Sequence, residues 1–187
     1  MNFLNKYNNK KNIRFEMFKK VFNVSLQRKH KTIVETGTSR GKVKFFLFKK
    51  YNWKDGMSTI MFANFAQYIG GHLHTCDISE KNIRSAKFFT KLYNKYVSFY
   101  VNDSLSFLKN FDKQIDLLYL DSLDGHNSDL ASNHQLNEAK IAIKKLNKNA
   151  LVLLDDKGSK TILSIDFLLN NHFKILYETN YQVLLSR

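Results

Sequence analysis

The 187-residue sequence contains no proline and a single cysteine, Cys76. A lone thiol closes no internal disulfide and builds no zinc cluster, so a reducing, cytoplasmic setting is predicted and any chemistry has to rest on other side chains. No apolar run approaches the ~20 residues that cross a bilayer, and no membrane contact is expected. The opening Met1-Asn2-Phe3-Leu4-Asn5-Lys6 lacks the apolar core of a signal peptide. Acids are scarce as well, 16 Asp and Glu against 30 Lys and Arg, for a formal net charge of +14. That scarcity is uneven: Glu16 and Glu35 are the only acids in residues 1–54, a stretch holding half of the basic residues. An AT-rich coding bias explains abundant Lys, Asn, Phe and Ile beside missing proline, but a uniform bias would not segregate charge so sharply. Residues 1–54 therefore present either a contact for RNA or another polyanion, or a solvated basic face.

What is present describes a globular chain, with 43% apolar and 14% aromatic residues. Its length fits one α/β domain over 1–187, with a basic N-terminal extension and helix over 1–31. Residues 1–12 are polar and expected to fray. From Ile13 to about Leu26 the apolar residues Ile13, Met17, Phe18, Val21, Phe22 and Val24 recur at helical spacing. Thr32-Ile33-Val34-Glu35-Thr36 reads as a short buried strand that runs into Gly37-Thr38-Ser39-Arg40-Gly41. Glycines at 37 and 41 let a ligand approach bare backbone, and the phosphate-cradling Gly-x-x-x-x-Gly-Lys pattern is not met. The expected ligand is a nucleoside without a polyphosphate.

Residues 42–55 interleave lysines with aromatics and form an insertion. It reads equally as a lid or stacking platform and as an extra helix that buries its rings. Ser58 is the expected N-cap of a helix reaching Ile69, ended by Gly70-Gly71. Strands are expected at 72–77, 97–101, 115–120 and 150–154, with helices between them near 80–95, after Ser104, over 129–146 and over 159–170. Segments 173–177 and 181–185 are too close to be anything but an antiparallel hairpin.

Every parallel strand ends in acid: Glu35, Asp77, Asp103, Asp121, and Asp155 with Asp156. In an alternating β-α fold those ends share one sheet edge. Singly each reads as a cap or turn former; five in register read as a site. Asp77 is placed to accept the hydroxyls of a ribose, and Asp103 beside Ser104 to reach an adenine amino group.

These residues carry a resemblance to class I S-adenosylmethionine-dependent methyltransferases over about residues 30–187. Glu35 to Gly41 is similar to that family's first motif, Asp77 to its ribose acid and Asp103-Ser104 to its adenine-side motif. The resemblance implies a Rossmann-like three-layer α/β sandwich. Its seven-stranded, mostly parallel sheet has order 3-2-1-4-5-7-6 and an antiparallel last strand. It also implies a cofactor pocket made of Glu35, Gly37, Thr38, Ser39, Gly41, Ser58, Thr59, Asp77, Ile78, Asp103, Ser104 and Asp121. Rossmann dehydrogenases fit less well, because Gly-x-Gly-x-x-Gly is missing.

Within the superfamily, Asp121 with Asp155-Asp156 resembles the site of catechol- and macrocin-type O-methyltransferases, which holds magnesium or another divalent cation; the other reading is caps and turns. Three carboxylates need a cation to offset their repulsion, and hard oxygen ligands suit magnesium. Asp124 stands where the catechol pattern has its catalytic lysine, which leaves Asp121 and His126 as the catalytic candidates. His134 and Gln135 are further candidates to face substrate, and Cys76 is expected in the core.

Missing proline excludes the Asp/Asn-Pro-Pro-aromatic motif of base-N-methylating enzymes and the Pro-Cys of cytosine-C5 enzymes. The expected activity is methyl transfer to a small hydroxylated acceptor, assisted by the metal. One alternative is RNA ribose 2′-O-methylation through Asp121, Lys157, Glu178 and Lys29 or Lys31. The other is a non-catalytic nucleotide- or nucleic-acid-binding module.

Overall fold

The computed structural model describes residues 1–45, 48–53, 57–125 and 127–187, with backbone alone at 42–45 and 48–51. His126, residues 46, 47, 54 and 55 of the insertion, and Gly56 lie outside the described residues.

Residues 2–7 are not frayed. They form a 3-10 turn, Asn2–Tyr7, because Leu4 and Tyr7 are apolar enough to bury and pull the segment onto the body. Tyr7 is anchored at Asn64, 3.0 Å away. Helix α1 (Phe15–Gln27) follows and buries Phe15, Met17, Phe18, Val21 and Phe22, the stripe its spacing predicts.

Strand β1 (Thr32–Thr36) leads to a two-stranded antiparallel hairpin, β2 (Lys42–Phe45) and β3 (Phe48–Tyr51). The insertion is therefore a hairpin in backbone, not an extra helix. Its alternation of Lys with aromatic and β-branched residues has the period of a strand. Helix α2 (Ser58–Ile69) ends at Gly70, as expected.

The remaining elements alternate: β4 (His72–Asp77), α3 (Glu80–Phe89), β5 (Val97–Val101), α4 (Ser104–Asn110), β6 (Ile115–Leu120), α5 (Ser128–Ala142), β7 (Leu146–Asp155) and α6 (Ile162–Asn170). The chain closes with the hairpin β8 (Lys174–Glu178) and β9 (Gln182–Ser186).

The main sheet has seven strands in the order β5-β4-β1-β6-β7-β9-β8. Strands β4, β5, β1, β6 and β7 are parallel; β9 runs antiparallel to both β7 and β8. Numbered by main-sheet strands alone, this is the expected 3-2-1-4-5-7-6. The central strands are apolar on both faces, as a covered parallel sheet requires. On one face the N-terminal turn, α1 and α2 meet the sheet through an aromatic cluster. Phe22 stacks on Phe65 with ring centroids 4.4 Å apart, and Phe18 meets Phe62 and Tyr119 edge-on. On the other face α4, α5 and α6 cover Val34, Leu118, Val152 and Leu185. Among the described residues no helix is long and apolar enough to cross a membrane.

Parallel pairing brings the C-terminal ends of β1, β4, β5, β6 and β7 to one edge. The chain changes direction between β1 and β6, where the crevice of an open α/β sheet opens.

Candidate active site

The crevice contains two adjoining cavities of about 200 and 110 Å³ that share Gly37, Asp77, Ile78, Ser122 and Leu123. The larger is also lined by Thr38, Ser39, Arg40, Ser58, Ser79, Asn82, Asp121 and Asp124. The smaller reaches Asn102, Asp103, Ser104 and His134.

The floor depends on Gly37. Its φ is +84°, and a Cβ there would stand 2.6 Å from the Asp121 carbonyl carbon and 2.9 Å from Ser122 Cα. The first loop thus lies directly against the end of β6, and only glycine permits the approach.

Asp77, at the tip of β4, accepts from Thr38 N (3.1 Å), Thr38 Oγ1 (3.0 Å), Ser79 N (2.7 Å) and Asn82 Nδ2. It holds the loops either side of the cleft while lining it. Ile78 is 76% exposed yet lines both cavities, offering an apolar face above them. Asp103 caps α4 through Ser106 N at 2.9 Å, so one carboxylate serves cap and cavity together. Ser104 Oγ lies 2.9 Å from His134 Nε2, which brings His134 into the smaller cavity, whereas Gln135 is buried beneath it and donates to the Leu120 carbonyl.

Three expected cofactor residues do not line either cavity. Gly41 is needed for packing, because a Cβ would meet the Phe89 ring. Glu35 is fully buried and accepts from Ser58 Oγ (2.6 Å), Thr59 Oγ1 (2.8 Å) and Thr75 Oγ1 (2.6 Å), pinning β1, β4 and α2 together. Thr59 belongs to this hub. Ser58 is the first residue of α2 and not its cap: its hydroxyl is spent on Glu35, while Ser39 Oγ accepts from Thr59 N at 2.9 Å and Thr59 Oγ1 accepts from Ser39 N at 2.8 Å.

Burial pushes the Glu35 carboxyl up to about 7, against the three hydroxyls that favour its charged form. Because the folded value lies above the ordinary 4.5, the folded state holds a proton that the unfolded state has released. The stability Glu35 contributes is complete below that ordinary value and is lost as pH rises towards the folded one, a change of about 3 kcal/mol. Unfolding of wild type and Glu35→Gln should coincide near about pH 5, with the variant the more stable near about pH 8. A constant offset across that range would remove the Glu35 charge from the account.

At the other end of the crevice the oxygens of Asp121, Asp155 and Asp156 lie within 4.8 Å of one another, as their strand-end positions predict. Two basic side chains that the sequence reading did not single out occupy them. Arg14, at the start of α1, holds Asp155 in a fork, Nε–Oδ1 and Nη2–Oδ2 both 2.8 Å, and reaches Asp156 Oδ1 at 3.0 Å. Lys160 Nζ donates to Asp121 Oδ1 (2.8 Å), Asp156 Oδ2 (3.1 Å) and the Leu123 carbonyl (3.0 Å). With both Asp155 oxygens in the fork and those of Asp156 divided between two cations, the arrangement does not fit a divalent ion. The carboxylates converge, but the balancing charge among the described residues is Arg14 and Lys160. Lys160 follows Asp156 by four residues of turn, before α6 begins; Arg14 has no local signal.

Burial and Asp155 push the Asp121 carboxyl well above the ordinary carboxylate range, and the Lys160 ammonium opposes them. Across the cleft mouth Arg40 and Asp124 form a two-pronged ion pair, both contacts 2.9 Å.

The 2′-O-methylation set is not assembled. Lys157 pairs with Glu178 at 3.0 Å on the surface, and Asp121 pairs with Lys160 instead. Lys29 and Lys31 precede β1, at the opposite end of the strand from the crevice; Lys31 N donates to Asp116 there. Five residues of strand, about 16 Å, separate them from the site.

A family model described as a methyltransferase domain matches residues 53–157, more than half of the chain. No curated protein sequence matches it. Among solved structures, the chain is similar to the N-methyltransferase NodS from Bradyrhizobium japonicum WM9 in complex with S-adenosylhomocysteine. The TM-score is 0.61 at 12% identity, covering 92% of this chain and 86% of that one. It is also similar to the S-adenosylhomocysteine-bound Podospora anserina methyltransferase PaMTH1, with TM-score 0.63 at 13% identity, covering 90% and 76%.

Proposed function

This chain belongs to the methyltransferase-domain family, and from that premise we propose that it transfers the methyl group of S-adenosylmethionine to the hydroxyl of a small acceptor, with Asp121 receiving the hydroxyl proton. The observation that carries the reading is the Asp121 carboxylate. It lies at the tip of β6 on the wall of the larger cavity, fixed through Oδ1 by Lys160. A neutral amine attacks a methyl sulfonium with its own lone pair and sheds its proton afterwards. A hydroxyl, whose own pKa is far above neutrality, gains much more from a base beside it. A carboxyl raised by burial is a stronger base than an ordinary aspartate.

Bound S-adenosylmethionine supplies an electrophilic methyl on a sulfonium. With the acceptor oxygen taking that methyl group and sulfur keeping the bonding pair, Asp121 would be the group that takes the hydroxyl proton. Gly37 would keep the first loop close against the end of β6 at the cavity floor, Asp77 would accept from the ribose hydroxyls, and Ile78 would cover the base. Asp103, Ser104 and His134 supply polar groups in the smaller cavity.

Calorimetry with S-adenosylhomocysteine tests this reading. The wild type should bind, and Asp77→Ala should lose at least about 1.5–3 kcal/mol, roughly 10- to 100-fold, as a charged acceptor is removed. Absence of wild-type binding sinks the assignment.

A further inference from the structure

Resting on that methyltransferase reading, we infer that the acceptor end of the site carries its own cations. Lys160 and Arg14 take the place that a divalent metal holds in the O-methyltransferases the sequence resembles, and Lys160 is the positioning residue for Asp121.

Three carboxylates gathered at one sheet edge cannot stay charged without compensation. Two monocations supply the same +2 as one divalent ion, and here both are in hydrogen-bonding contact. The Lys160 side chain is only 2% exposed, and each of its three ammonium protons has an oxygen: Asp121 Oδ1, Asp156 Oδ2 and the Leu123 carbonyl. It is coordinated as a small cation would be, by oxygens from the ends of two strands. With its donors filled, Lys160 does not reach for the acceptor. It fixes Asp121 and the loop after β6 to the turn after β7.

The backbone is shaped to allow this. Asp156 has a φ of +56°, in the left-handed region, and Gly158 has a φ of +89°. Those two residues fold the chain back so that Lys160 lies over the carboxylates. Arg14 closes the other side with a planar fork matched to Asp155. Magnesium demands about six oxygens at roughly 2.0–2.1 Å in octahedral array. Seating it here would require expelling a buried ammonium and opening the Arg14 fork together.

The test is a manganese titration of the whole protein, followed by the electron paramagnetic resonance signal of the free ion. This readout needs no methyl transfer and no acceptor. Wild type should leave the free-ion signal undiminished into the millimolar range, and methyl transfer should be unchanged in EDTA. Lys160→Met should lower kcat by about 100-fold with KM and S-adenosylhomocysteine affinity within a few fold, and Lys160→Arg should restore part of the rate. Manganese bound to wild type and released by Asp155→Asn overturns the inference, as does activity lost to EDTA and restored by magnesium. A protein that binds neither manganese nor S-adenosylhomocysteine keeps Lys160 and Arg14 as the resident cations but removes the methyltransferase reading and with it the positioning role of Lys160, so the two failures are distinguishable.

Discussion

Asp121→Asn is expected to reduce methyl transfer by about 100- to 10,000-fold while S-adenosylhomocysteine binding stays within a few fold. The asparagine carbonyl oxygen can still accept from Lys160, so the anchoring contact at 2.8 Å survives and the shape of the cavity wall is kept. What is lost is a group able to take a proton. The pH profile separates this from a packing defect. With burial raising the Asp121 carboxyl, the wild-type rate should rise with pH along a limb placed above the ordinary carboxylate range. In the variant that limb should vanish. A variant that retains the limb, or loses cofactor affinity in parallel with rate, would show that Asp121 serves binding and not proton transfer.

The second large effect is expected from one methyl group. Gly37→Ala should destabilise the fold by about 3 kcal/mol or more and abolish cofactor binding, because strain and overlap act together. The built-in control is Gly158→Ala. Both glycines have nearly the same φ, +84° and +89°, but a Cβ on Gly158 meets nothing within 4 Å, whereas one on Gly37 runs into the backbone of Asp121 and Ser122. Gly158→Ala should therefore cost only the left-handed backbone term, about 1–2 kcal/mol. Urea unfolding of the two variants isolates the overlap; equal losses would mean that Gly37 is required for its dihedral alone.

The sheet was readable because its signals are local and repeated: short β-branched runs, helical spacing between them, and a three-residue gap that forces the last hairpin. The site edge was readable for the same reason, since acids at successive strand ends must share one edge whatever the details. Side-chain direction was not. β1 is buried on both faces, so no polar alternation reveals that Glu35 turns inward to three hydroxyls while its neighbours beyond Gly37 face the cleft. The N-terminal turn has no local signal, because Leu4 and Tyr7 are two apolar residues in a polar run and their burial depends on a helix some fifty residues away. Arg14 was illegible on principle: its partner Asp155 lies 141 residues on, and an arginine beside a helix start has many uses.

That separation has a consequence in time. At ~5–20 residues per second of synthesis, Arg14 emerges roughly 7–28 s before Asp155 exists. Over that interval Phe18 and Phe22 gain Phe62, Phe65 and Tyr119 as these are made, while β9 is still to come. The guanidinium can meet its carboxylates only once β7 is complete, so the acceptor end of the site is assembled later than the crevice walls that β1, β4 and β6 supply. A nascent chain stalled before residue 155 would have the crevice formed by β1, β4 and β6 without a finished far wall.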